Sequence, residues 1–258
     1  MRHDPEMPFF FGVDGGLFGM YHAPATPPRR AVLMCPPLGQ ELIRCHRLYR
    51  QLAQALAAQG LAVLRFDYHG TGDSAGDSAE VDWNRCVGDA ITAAGELRSR
   101  AGVDRVIAFG ARLGGSIALA AADRARFAEV IAWDPVLDGH DYVAALDAMQ
   151  AALREDGDRF NQPRAHADVA EQWLGFDIGG SLRKQIAALR VAPASVPTLV
   201  LDSSPSSARP DWESLVARRG KVSPISPPTP WTDLRRLESA ILSHPLIQAV
   251  SGRLAEDA

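Results

Sequence analysis

Lysine is nearly absent from this chain of 258 residues: among 27 cationic side chains only Lys184 and Lys221 are not arginine. Charge of either sign is not in excess. The formal net charge is -4 and the pI is near 6.0, which excludes the basic footprint of a nucleic-acid-binding surface. Cysteine is scarce. Cys35, Cys45 and Cys86 form no C-x-x-C pair, which argues against a disulfide framework or a structural zinc site. No H-E-x-x-H motif or i,i+4 histidine pair occurs, so neither a metal nor another cofactor is expected. Long apolar runs are missing too. The longest, Val106 to Ala122, is broken by Arg112 and glycines and falls short of a clean membrane span. The N-terminal MRHDPEMPFFFG has too short an apolar run for a signal peptide, so a cytoplasmic, reducing location is the expectation. What is present is ordinary for a globular protein: 47% hydrophobic and 22% charged residues, too apolar for a disordered chain.

Strand and helix signals alternate through the first half. Phe9–Val13 and Leu17–His22 read as a hairpin around Asp14-Gly15-Gly16. Short apolar runs at Ala31–Cys35, Leu61–Phe66, Val103–Phe109 and Val130–Trp133 read as buried strands. Residues 44–58, 82–100 and 112–124 between them carry helical signals. Strands separated by such helices imply right-handed crossovers and a mainly parallel sheet. From 138 to 190 only helical stretches and polar loops occur. Val196–Leu201 then resumes the sheet. The expected organisation is a core of residues 1–137 and 191–258 with a helical cap insertion at 138–190. A proline-rich loop, SPISPPTPW, precedes a final amphipathic helix at 237–254.

One segment carries the chemistry. In VIAFGARLGGSIALAAA a strand ends, G-A-R-L-G-G turns, and an alanine-rich helix begins. This is the strand, sharp turn and helix context of a nucleophile elbow, G-x-S-x-G. Gly110 and Gly114 allow close packing around a strained central residue. Arg112 occupies the position of the serine.

On these residues the chain resembles the α/β-hydrolase superfamily over nearly its whole length. Further features agree. MCPPLGQE follows the third strand, where the superfamily places an oxyanion-hole donor. LRFDYHGTGDSAGDS is similar to its D-x-x-G-x-G-x-S loop, and His244 lies late, where the catalytic histidine would come. A narrower pattern of G-x-R-L-G, W-D-P-V-x-x-G (Trp133 to Gly139) and P-x-W near 231 is similar to the exosortase-A-system-associated hydrolase type 2 family. That resemblance implies a bacterial protein encoded beside exopolysaccharide and protein-sorting genes, and an arginine at the elbow as the rule.

A guanidinium has no lone pair for attack on a carbonyl, so Arg112 does not replace a catalytic serine. Its charge at a helix N-terminus opposes the dipole by about 0.3–1 kcal/mol, and something must offset that. Two offsets are open: a protein carboxylate, with Asp67, Asp134 and Asp202 as candidates, or an anionic ligand held with backbone N–H groups of Leu38, Gly39, Gln40 and Leu113. Of the remaining triad, Asp202 is the candidate acid, with Asp211 as the alternative, and His244 the candidate base. Ser116 one turn into the elbow helix, Cys35 at the end of the third strand and Ser74 in the GTGDSAGD loop are other nucleophile types, each more simply read as structural. GTGDSAG lacks the G-x-G-x-x-G spacing of a dinucleotide loop.

Two functions follow. One is a non-catalytic relative of esterases and thioesterases that binds a small anionic or acyl-containing ligand or acts as an accessory protein. The other is an active ester or thioester hydrolase with an atypical nucleophile or a histidine-activated water.

Overall fold

The computed structural model describes residues 6–156, 171–205, 210–216 and 220–255. Eight strands form one sheet in the order β1-β2-β4-β3-β5-β6-β9-β10. β1 (Glu6–Phe11) and β2 (Leu17–His22) are the antiparallel hairpin, and β2 joins β4 (Ala62–Phe66) antiparallel. From β4 through β3 (Ala31–Cys35), β5 (Val106–Ala111), β6 (Glu129–Trp133), β9 (Thr198–Asp202) and β10 (Lys221–Pro224) every pairing is parallel. This is the α/β-hydrolase fold. Among the described residues, no helix is long and apolar enough to cross a membrane.

The central strands β3, β5, β6 and β9 are buried throughout, as expected when helices cover both faces. α1 (Gly39–Ala58) and α7 (His244–Ala255) pack one face through Leu48, Leu52, Leu56, Leu246 and Val250. α2 (Trp83–Ala101) and α3 (Leu113–Ala125) pack the other through Ala90, Ala94, Leu97, Ile117 and Ala121. Alanine on α2 and α3 lets these two helices sit close to each other and to the sheet.

Between β6 and β9 the chain leaves the sheet. α4 (Gly139–Arg154), a two-stranded ribbon of β7 (Gln172–Trp173) and β8 (Phe176–Asp177), and α5 (Gly180–Ala187) are described there. Gly139 is required: a Cβ would lie 1.6 Å from the Ile186 carbonyl oxygen.

Two boundaries and two elements differ from the sequence reading. α1 begins at Gly39 rather than 44, directly out of the CPPL loop. The last helix starts at His244 rather than 237. Ser243 accepts the Leu246 N–H at 3.2 Å and Pro245 takes the first turn, where its missing N–H costs nothing. β10, with its short alternation and terminal proline, runs into the proline-rich loop, and the β7–β8 ribbon lies where only helical stretches and polar loops are expected. A four-residue edge strand and two-residue strands are below what period-2 patterning reveals. α6 (Glu213–Val216) is a single turn after β9.

Candidate functional site

The elbow is fully formed. Arg112 sits at φ 51° and ψ -126° between β5 and α3, a conformation that costs a non-glycine residue of order 1–3 kcal/mol. Its glycines are steric necessities. A Cβ on Gly110 would lie 2.4 Å from the Gly114 carbonyl oxygen, and one on Gly114 would lie 2.3 Å from that of Cys35. The Arg112 N–H donates to the Trp133 carbonyl at 2.9 Å. The backbone is therefore the apparatus that would present a nucleophile, with a guanidinium mounted on it.

That guanidinium is enclosed. Arg112 Nε donates to Glu41 Oε1 at 2.8 Å and Nη1 to the Asp134 carbonyl at 3.2 Å. The Tyr142 ring from α4 lies 5.3 Å away and the Trp231 ring 5.2 Å away, both within cation–π range. Tyr142 in turn donates its hydroxyl to Glu41 Oε2 at 3.0 Å. Burial is the largest influence and works against the Arg112 charge, but Glu41, Tyr142 and Asp134 together outweigh it and the net shift of the guanidinium pKa is upward.

The partner acid is thus Glu41, not the side chain of Asp67, Asp134 or Asp202. The cause is the early start of α1. With the helix opening at Gly39, Glu41 falls in its first turn, where a carboxylate is favoured by the dipole, and faces the start of α3. The signal was the GQE that follows CPPL.

Asp134 contributes through its backbone because its carboxylate is already engaged. It accepts the Ser203 N–H at 2.7 Å, the Ser203 hydroxyl, and the Trp231 indole N–H at 2.7 Å. Burial raises its pKa against the pull of these donors. Trp133 completes the network, donating to Ser203 Oγ at 3.0 Å and packing against Trp231 with ring centroids 4.8 Å apart. Sequence reasoning did not foresee Glu41, Tyr142 or Ser203. Trp133 and Trp231 enter it only as parts of a pattern, and Asp134 as a candidate partner for Arg112.

Leu38, Gly39, Gln40 and Leu113 do come together. They line one crevice of about 30 Å³ with Tyr142, Leu146, Trp173, Leu182 and Ile186 of the insertion. A second space of about 20 Å³ lies beside Arg112, Tyr142 and Trp231. Each holds roughly one water molecule, so the site is closed over its apolar lining.

Among the described residues, none of the candidate triad partners lines either crevice. His244 is exposed at the first residue of α7, and among the described residues no hydrogen bond joins it to Asp202. Asp202 is buried at the end of β9 and accepts the Ser204 N–H at 2.9 Å. Asp211 is exposed. Ser116 is buried and donates to the Val136 carbonyl at 2.8 Å. Burial pushes the Cys35 thiol pKa up to about 12, far from thiolate chemistry. Ser74 bonds the Phe18 N–H at 2.9 Å and the Asp67 carbonyl at 2.6 Å, holding its loop. One group with metal-ligand spacing, Asp138, His140 and Asp141, occurs among the described residues. There Asp138 caps α4 and pairs with Arg190 at 3.1 Å.

Comparison with known proteins decides the family. The family described as "Serine aminopeptidase, S33" matches residues 26–174, more than half of the chain. The chain belongs to this family. No curated protein matches the sequence. Among solved structures, Est1E from Butyrivibrio proteoclasticus is similar at 16% identity and TM-score 0.63, with 98% of each chain covered. DcsB, solved in complex with a substrate analogue, is similar at 16% identity and TM-score 0.64, covering 98% of this chain and 99% of that one. XC6422 from Xanthomonas campestris, described as an α/β serine hydrolase without lid, gives 15% identity and TM-score 0.56 over 99% and 94%. At these identities the likeness is one of fold. The serine aminopeptidase family is named for a residue that this member lacks at its elbow.

Proposed function

We propose that this member of the serine aminopeptidase family has given up acyl transfer and works as a non-catalytic accessory or acyl-ligand-binding protein. In this reading the elbow is structural. The observation that carries it is the Arg112–Glu41 pair. The residue at the nucleophile position is cationic, and its counter-charge comes from within the chain. A free anionic ligand at Arg112 would have to displace Glu41, so the acyl rather than the anionic half of the ligand class fits better. The crevice beside Leu38 and Leu113 is apolar enough for an acyl chain once the insertion moves. The resemblance to exosortase-associated proteins suggests a bacterial exopolysaccharide or biosynthetic locus as the setting.

The competing reading, an ester or thioester hydrolase with another nucleophile or a histidine-activated water, draws no support from Cys35, Ser116 or His244 as placed above.

Labelling with a fluorophosphonate probe is the test. The expected result is no labelling of the wild-type protein and no hydrolysis of a short- and long-chain ester panel. Stoichiometric labelling at any serine overturns the proposal.

A further inference from the structure

A larger cavity lies elsewhere. A space of about 370 Å³ opens on the other flank of α1, against β2 and β4, and shares no lining residue with the crevices at the elbow. Its volume is in the range of small-molecule sites. Of the five charged side chains that line it, Glu6 and Arg50 pair with each other and Asp73 is exposed, which leaves two of opposite sign inside, Arg65 from β4 and Asp67 just beyond. Two residues apart in extended chain, they share one side of the sheet with Cα atoms about 6.6 Å apart.

Arg65 and Asp67 act on each other through space, but among the described residues neither makes a close ion pair. Arg65 Nε donates to His22 Nε2 at 3.0 Å. Burial holds the His22 imidazole pKa down to about 4, so the acceptor is neutral. Among the described residues Arg65 has no ion-pair partner, unlike Arg112. The nearby Glu6 carboxylate is taken by Arg50 at 3.1 Å and Gln54 at 2.6 Å. Asp67 is half-buried and its Oδ2 accepts the Asp73 N–H at 3.1 Å. The Gly72 turn fixes this carboxylate: a Cβ on Gly72 would lie 2.1 Å from Asp67 Oδ2. Apolar surface from Phe18, Met20, Met34 and Leu42 completes the lining.

We propose that this cavity binds a small zwitterion with an apolar side chain, of the α-amino-acid class, its carboxylate on Arg65 and its ammonium on Asp67. A simple anion would leave Asp67 facing like charge, and a simple cation would leave Arg65 so. A dipolar ligand satisfies both while its side chain covers the methionines. This site is independent of the elbow and of the function proposed for it.

The test uses the full chain with isotope-labelled methionine methyls, titrated with leucine, N-acetylleucine, leucine methyl ester and inorganic phosphate. Leucine should shift the Met20 and Met34 signals and leave Met149, which lies beside Arg112, unmoved. Blocking either end of the ligand should weaken binding at least about tenfold, the usual size of a lost charged hydrogen bond. Arg65→Met should abolish the leucine response in a protein that still folds by circular dichroism. Four outcomes overturn the proposal. They are no shift up to high millimolar leucine, a shift at Met149 instead, equal binding of either blocked form or of phosphate, and an unchanged response in Arg65→Met. The wild-type titration stands by itself if that variant does not fold.

Discussion

At the residue scale the decisive fact is that a cation stands on the elbow and is paired. Removing one member of a buried ion pair leaves the other desolvated, which costs about 3–5 kcal/mol. Glu41→Gln should therefore destabilise the protein by roughly that amount in denaturant unfolding, while Arg112→Met, Glu41→Leu together should cost much less. A double variant no more stable than Glu41→Gln would show that Glu41 matters for reasons other than the Arg112 charge. Arg112→Ser is expected to stay unreactive to a fluorophosphonate, because among the described residues no histidine ring lines the space around it. Labelling of that variant would mean that His244 reaches the elbow in solution.

His22 gives a second residue-scale prediction. Its imidazole is buried and its pKa is lowered to about 4 in the folded protein, first by desolvation and then by Arg65, against an ordinary value of about 6.5. The unfolded chain binds the proton more readily, so stability is complete above about pH 6.5 and falls as pH drops towards 4. The loss amounts to as much as about 3 kcal/mol by the usual linkage. His22→Gln keeps an acceptor for Arg65 Nε and should flatten the melting temperature between pH 6.5 and 4. An identical pH profile in the variant would place the acid sensitivity elsewhere.

At the scale of elements, α1, α3 and α4 meet at one carboxylate. Glu41 of α1 holds Arg112 at the start of α3 and the Tyr142 hydroxyl of α4. The insertion is thus tied down over the elbow by a charge-assisted hydrogen bond, worth about 1.5–3 kcal/mol. Tyr142→Phe keeps the ring over the guanidinium and removes only that tie. Amide exchange in α4 should rise in this variant while β5 and β6 stay protected. Uniform acceleration across the sheet would mean that the bond supports global stability rather than insertion docking. The same elements mark what the sequence made legible. G-x-R-x-G and the alternating strands were plain because their periods and glycines are local requirements. Glu41 and Tyr142 were not, because they are 101 residues apart and ordinary in their own windows. Only the fold makes them neighbours. The W-D-P-V-x-x-G pattern was noticed without its reason. In the folded chain Trp133 and Asp134 share the Ser203–Trp231 network, and Gly139 lets the α4 start pass the end of α5.

At the scale of the whole molecule, the sheet order and its crossovers follow from buried strand runs spaced by helices, and these were readable. His244 shows where linear position misleads. It stands late in the chain as a catalytic histidine would, yet the Ser-His-Pro sequence makes it a helix start, and its ring is exposed. The division into core and insertion raises a question that position alone does not answer, whether the two unfold together. Val143, Leu146, Met149, Leu182 and Ile186 belong to the same apolar cluster as Ala118, Leu113 and Leu38 of the core. Surfaces that share one cluster lose its burial energy together, so cooperative loss is expected. Thermal unfolding followed by far-ultraviolet dichroism and by tryptophan fluorescence should coincide, even though Trp173 sits on the insertion and Trp133 in the sheet. Fluorescence that changes at lower temperature than the dichroism would reveal an insertion that opens by itself. It would also mean that the crevice beside Leu38 and Leu113 becomes accessible while the hydrolase core is still folded.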